Sequence, residues 1–164
     1  CTRKPQIMLS QLHSLSYETD GRYATDEELK VIDDFVRSFA LRAQTYQQLQ
    51  AIEGQILQQV YIKMRSRHPE LLVSGSTDVS AKWKRDTIRV LRYSAIAMLL
   101  NDPDSLRERL LFWMKTIMKA FGAERSCNVT YQVMQEVVKQ QLSPTQASLF
   151  CPILEMNRQV LGAV

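Results

Sequence analysis

The chain has 164 residues, a formal net charge of +4 and a sequence pI of about 9.1, and 45% of it is apolar. That size and apolar share predict one domain around a single core, residues 1–164, and five glycines with five prolines leave no room for long linkers. No apolar run nears the ~20 residues of a membrane-spanning helix, so no membrane insertion is expected. No signal peptide is visible either: Arg3, Lys4 and Pro5 are followed by too short an apolar segment. The start at Cys1 rather than Met suits a trimmed or partial N-terminus and leaves open whether residues precede it. Three cysteines, Cys1, Cys127 and Cys151, form neither a disulfide framework nor a CxxC metal site, which suits a reducing cytoplasm. The basic balance could serve nucleic acid or an acidic ligand. On charge alone a mildly basic surface is the better reading, and no nucleic-acid partner is expected.

Taken in order, residues 3–15 carry Ile7, Leu9, Leu12 and Leu15 at rough helical spacing, a short helix too small to stand alone. Asp20-Gly21 marks a turn. Thr25-Asp26-Glu27-Glu28 is a capping box, followed by Leu29, Ile32, Phe35, Val36 and Phe39 at helical spacing. A second helix near 47–64 shows Leu49, Ile52, Ile56, Val60 and Met64, nearly continuous with the first. His68-Pro69 stops the run, and Val73 to Asp78 reads as a loop. A central helix over 79–99 carries the stripe Ile88, Leu91, Ala95 and Met98. Asp102-Pro103 caps the next helix, with Leu106, Leu110, Trp113 and Ile117 in phase, Leu111, Met114, Met118 and Phe121 beside them, and Gly122 as the stop. Val129, Val133 and Val137 mark another helix. Ser143-Pro144 opens the last, with Leu149, Ile153, Val160 and Leu161 facing inward. No strand pattern and no fixed-period repeat competes. The expected fold is all-α, six or seven unequal helices in a globin-like arrangement.

Most reaction chemistries find no motif. His13 and His68, the two histidines, lie off the long apolar helices where a proximal haem ligand would stand. Cys151-Pro152 is a weak haem-regulatory signal. No nucleophile elbow, spaced Cys/His pair or Gly-rich phosphate loop occurs. Asp104 and Glu108 read as helix-start charges favourable to the dipole rather than as a catalytic pair. No enzyme is predicted.

The central helix is the informative stretch. Lys82, Lys84, Arg85, Arg89 and Arg92 are its cations; Arg85, Arg89 and Arg92 share a side, with Asp86 next to it. From charge alone this is a solvated, salt-bridged face. Trp83 and Tyr93 sharpen it: a large ring among cations is poorly placed unless a flat, acidic ligand covers it.

The order Arg85-Asp86, Leu91-Arg92-Tyr93, Ala97-Met98-Leu99, Asp102-Pro103, Glu108-Arg109 resembles the phycobiliproteins, the allophycocyanin-like members above all. Gly21-Arg22-Tyr23 before a capped helix resembles the family's entry into its first globin helix. The resemblance covers nearly the whole chain. It implies a globin-like core over 21–164, a helical extension over 1–20 for subunit pairing, and a cyanobacterial photosynthetic setting.

The family's attachment motif reads Cys-x-Arg-Asp, whereas Trp83-Lys84-Arg85-Asp86 lacks the thiol. Val79-Ser80-Ala81 replaces the Arg pair usual before it, and the basic pI departs from acidic antenna subunits. Cys127 and Cys151 do not align with the attachment site. These departures resemble the divergent allophycocyanin-like proteins and the globins associated with bilin biosynthesis. The implied cofactor is a linear tetrapyrrole, phycocyanobilin or biliverdin, held non-covalently. Asp86 would accept from the pyrrole N–H groups and Arg85 would pair with a propionate, helped by Lys82, Lys84 or Arg89. Trp83 would fill the space of the thioether. Tyr93 and Trp113 are pocket or interface aromatics, or ordinary core. The implied role is light sensing or bilin carriage rather than an antenna; a chromophore-free structural or interaction globin is the alternative. The resemblance further implies a homodimer through Leu9 and Leu12, with Arg92 and Tyr93 at the interface.

Overall fold

The computed structural model describes residues 8–162, with side chains from Leu12 onward. Cys1, Ile7 and the side chain of Leu9 lie outside the described residues. The fold is all-α and globin-like. Helix α1 spans Met8–Glu18 and turns at Gly21, whose φ of 72° is the left-handed geometry that favours glycine. The capping box at Thr25 then starts α2: Thr25 Oγ1 accepts from the Glu28 amide at 3.3 Å, and the Glu28 carboxylate accepts from the Thr25 amide at 2.7 Å. Arg22 completes this corner with two bonds to Glu28, at 2.8 and 3.1 Å.

The two expected helices over 25–64 are one, α2, running Asp26–Arg67 for 42 residues. At 1.5 Å per residue this is about 63 Å long. The stretch between the two apolar stripes is Ala, Leu, Arg and Gln rich, and nothing there breaks a helix. Its two halves differ. Leu49, Ile56, Leu57, Val60 and Met64 are buried in the core, whereas Leu29, Val36 and Phe39 are exposed. Arg42 stands at the junction. Its buried guanidinium stacks 4.2 Å from the Phe35 ring centroid, donates to the Phe35 carbonyl at 2.8 Å, and reaches across to the Leu99 carbonyl.

After His68 a 3-10 turn, Pro69–Leu72, leads into a minimal antiparallel hairpin, β1 (Val73–Ser74) with β2 (Thr77–Asp78), where a loop was expected. Gly75 turns it at φ 62°. Asp78 accepts from the Ser80 amide at 2.8 Å and so begins α3, Ser80–Leu99. Asp102 caps α4, Pro103–Leu106, through the Ser105 amide and hydroxyl. The expected single helix from Pro103 to Phe121 is interrupted by a π-helical turn, Arg107–Leu111, before α5, Phe112–Ala120. The extra residue shifts the phase. Leu106, Leu110, Leu111, Met114 and Met118 are buried, while Trp113, expected in the stripe, is turned out to 54% exposure.

Helices α6 (Glu124–Gln141) and α7 (Pro144–Leu161) complete the core. Gly162 brings their ends together: a Cβ there would stand 2.7 Å from Asn128 Cα. Phe150, Met134, Val137 and Leu154 have no exposed surface, and burial of that order contributes roughly 1.5–3 kcal/mol for each large apolar side chain.

Candidate functional site

Helix α3 lies with one side against α2 and α7, and near α5 it leaves a cleft. Trp83 is turned inward there. It is 9% exposed, its indole N–H donates to Thr130 Oγ1 at 2.9 Å, and its ring lies 6.0 Å from that of Tyr61. The hydrogen bond matters because a buried indole N–H without a partner would cost about 1–3 kcal/mol.

Beside Trp83 opens a cavity of about 270 Å³ between α3, α5, α6 and the hairpin segment. Leu71, Val73, Met114, Met118 and Phe121 supply apolar walls. Asp86, Thr87, Cys127 and Tyr131 supply polar groups. Burial, reinforced by the nearby Glu124 and Asp86 carboxylates, pushes the Cys127 thiol up to about 12. Burial first, then Cys127 and Asp86, raises the Tyr131 phenol well above its ordinary range. Both groups therefore keep their protons at neutral pH.

Two cations of α3 are parked on aromatic faces, Lys82 at the cavity and Arg89 outside its lining. Lys82 Nζ sits 3.7 Å from the Phe121 ring centroid, and the Arg89 guanidinium 5.7 Å from that of Trp113. Both rings are more than half exposed. Asp86 lies between these pairs on the sequence of α3.

The sequence-predicted residues therefore divide. Lys82, Trp83 and Asp86 line the cavity, whereas Arg89, stacked near Trp113, and Trp113 itself are not part of its lining. Lys84, Arg85 and Tyr93 line a separate shallow groove with Ile88, Arg89 and Arg92. Arg85 is largely exposed and reaches only 3.9 Å from Asp86. Arg92, expected to meet a partner's carboxylate, is engaged within its own chain: it makes two bonds to Glu53 on α2, at 2.7 and 2.8 Å. Tyr93 and Leu12 are exposed. His68 lies 3.6 Å from Glu70, and Cys151 is buried in α7 away from the cavity. The wall from α6, with Cys127, Thr130 and Tyr131, escaped the sequence reading. Those residues recur at i, i+3 and i+4, but the valine stripe beside them drew the inward face.

Fold and cavity together define an all-α globin-like protein with a half-open pocket against its central helix. The chain matches the phycobilisome protein family ("Phycobilisome protein") over residues 15–161 and belongs to that family. It is similar to an allophycocyanin subunit beta-18 of Aglaothamnion neglectum, 25% identical over 132 residues that cover 77% of each chain. It is also similar to a phycobiliprotein beta chain of Mastigocladus laminosus, 28% identical over 132 residues, 77% of this chain and 78% of the relative. No helix among the described residues is long and apolar enough to cross a membrane.

Proposed function

We propose that this protein binds a linear tetrapyrrole, phycocyanobilin or biliverdin, without a covalent bond, and serves light sensing or bilin carriage in the cytoplasm rather than catalysis or antenna duty. One observation carries the reading. The position that matches the family's attachment cysteine is Trp83, its indole hydrogen-bonded to Thr130 inside the wall of a cavity that also bears Asp86. The cavity's polar wall, with a carboxylate beside hydroxyls, suits a ligand that carries both N–H donors and carbonyl acceptors. Lys82 on its lining suits a propionate. Cys127 is the thiol on this wall, and its burial keeps it a thiol rather than the nucleophilic thiolate.

Protein made together with either bilin should show a visible band that separates from the polypeptide in acid urea. A colourless protein refutes binding. A band that stays with the denatured chain refutes the non-covalent mode. Asp86→Ala should weaken the band and move it to the blue, because the carboxylate favours the protonated, red-absorbing pigment. The second reading, a chromophore-free interaction globin, is favoured by the inward packing of Trp83, which occupies space beside the cavity. It predicts no band in the wild-type protein and no change in Asp86→Ala.

The extension over residues 1–20 is read as a pairing element for a homodimer. The exposed Leu12, Leu29, Val36 and Phe39 on α1 and the first half of α2 support this. The salt bridge expected from Arg92 is dropped from this reading, since Glu53 already holds it. Light scattering on the intact chain and on one lacking residues 1–16 tests the pairing. A monomeric intact chain at micromolar concentration refutes it, and a dimer undiminished by truncation places the interface elsewhere.

A further inference from the structure

The π turn at Arg107–Leu111 shapes the surface as well as the core. It brings both Leu110 and Leu111 inward, and α5 therefore begins with Phe112 and Trp113 on the outside, 53% and 54% exposed. Met114 and Met118 fill its core side. Helix α5 is thus apolar on both sides, unlike a surface helix with one buried stripe. Its outward polar groups are few. Lys115 and Lys119 are exposed and follow Phe112 by three and seven positions, which puts them on its side of the helix. Thr116 returns its hydroxyl to the Phe112 carbonyl at 3.4 Å and needs no outside partner. Arg89 of α3 adds a cation 5.7 Å from the Trp113 ring centroid. Adjacent large rings left in water mark a contact surface.

Charge decides what covers it. From Arg107 to Phe121 the chain has four cations and one carboxylate, Glu108. Arg107 pairs with Asp104 at 3.7 Å. Lys115 and Lys119 meet no carboxylate among the described residues. The other exposed apolar surface, Leu29, Val36 and Phe39 on α2, is interspersed with Asp33 and Asp34. The two surfaces suit different partners, and that of α5 suits an anionic one. Shape narrows the choice. Phe112, Trp113, Lys115 and Lys119 line neither the cavity nor the groove on α3. They form a convex ridge without a recess for a partner's side chain. A soft, flat, negatively charged layer meets such a ridge well. Aromatic rings enter the boundary between headgroups and acyl chains, and lysine tips stay among the headgroups.

We propose that α5 is a peripheral membrane-docking surface, with Phe112 and Trp113 entering an anionic lipid layer and Lys115, Lys119 and Arg89 pairing with its phosphates. The helix lies on the layer and does not cross it; no helix among the described residues is long and apolar enough to do so. The contact needs no ligand in the cavity that α5 walls on its other side.

The test mixes the full chain with vesicles of phosphatidylcholine alone and with vesicles of phosphatidylcholine and phosphatidylglycerol in equal parts. Co-sedimentation and tryptophan emission are read. The mixed vesicles should bind about ten-fold more protein than the neutral ones. Salt at about 1 M, where screening acts beyond about 3 Å, should release it. Emission should move to the blue and be quenched by brominated acyl chains. Trp113→Tyr should lose both changes, since Trp83 is buried. Lys115→Glu with Lys119→Glu should weaken binding about ten-fold, and Phe112→Ser about as much. The same charge change elsewhere, Lys30→Glu with Lys139→Glu, should alter binding by less than about three-fold. Circular dichroism checks that each variant folds, as these exposed positions should allow. No binding, equal binding to neutral vesicles, or equal loss in the two double variants overturns the proposal. So does a chain that ignores vesicles but loses self-association in Phe112→Ser, which assigns the face to a second copy.

Discussion

On α3, Trp83, Asp86 and Thr87 face the cavity, while Lys84, Arg85 and Ile88, interleaved with them in sequence, line the groove on the other side. Both sides mix charge with large apolar groups, and composition does not tell them apart. The inner side is set by its neighbours: Thr130 holds the indole, and α5 and α6 remove water. The outer side is less enclosed: Arg92 is tied to Glu53 on α2 and Arg89 lies near Trp113, while Arg85 reaches only Asp86, at 3.9 Å. The difference shows that a basic, aromatic helix is defined by what packs on it, and a charge run becomes a site only where a second and third helix close over it.

Substitutions that exploit this contrast should have graded effects. Trp83→Ala should cost the most, about 3–5 kcal/mol of folding stability, since it leaves a void against Tyr61 and strands Thr130. Urea denaturation reads it directly, and a cost under about 1 kcal/mol would make the inner side no more structural than the outer. Thr130→Val comes next, at about 1–3 kcal/mol, because the indole N–H then stays buried and unmatched.

Alkaline pH probes the same wall. The ordinary Cys127 thiol would ionise near 9, but in the folded chain it holds its proton to about 12. Above pH 9 the unfolded chain therefore binds fewer protons at this group than the folded one. Stability from this group is complete below pH 9 and declines up to about pH 12, by on the order of 1.4 kcal/mol per pH unit. The slope difference between wild type and Cys127→Ala over that range measures it, and equal slopes would mean that the thiol is open to solvent. Smallest of all, Arg85→Ala and Lys84→Ala should leave stability within about 0.5 kcal/mol of wild type. A large loss from either would show that the outer side packs more tightly than its exposure indicates.

The capping residues were read from local chemistry, and each appears in the fold in the same role. Thr25 with Glu28, Asp102 with Ser105, and Ser143 with Gln146 satisfy amides that a helix start leaves open, and this requires only residues three apart. Period and breakers likewise located α3, α6 and α7. The join within α2 was harder to read, because two apolar stripes out of phase resemble two helices. The stripes face different surroundings along one unbroken rod, the first half exposed and the second buried.

Other features depended on contacts distant in sequence. The π turn at Arg107–Leu111 has no local signature, since it is the core's demand for both Leu110 and Leu111 that rephases the helix and turns Trp113 outward. Asn157 is wholly buried and donates to Ser94 Oγ at 2.8 Å, a pairing that links α7 to α3 across 63 positions. The same holds for the candidate site. Chain order and residue type were enough to single out Trp83 and Asp86 on α3. Thr87, Cys127, Thr130 and Tyr131 became part of one wall only when α6 packed beside α3, because which side chains line a cavity depends on the distance between helices, and periodicity along either helix carries no information about that distance.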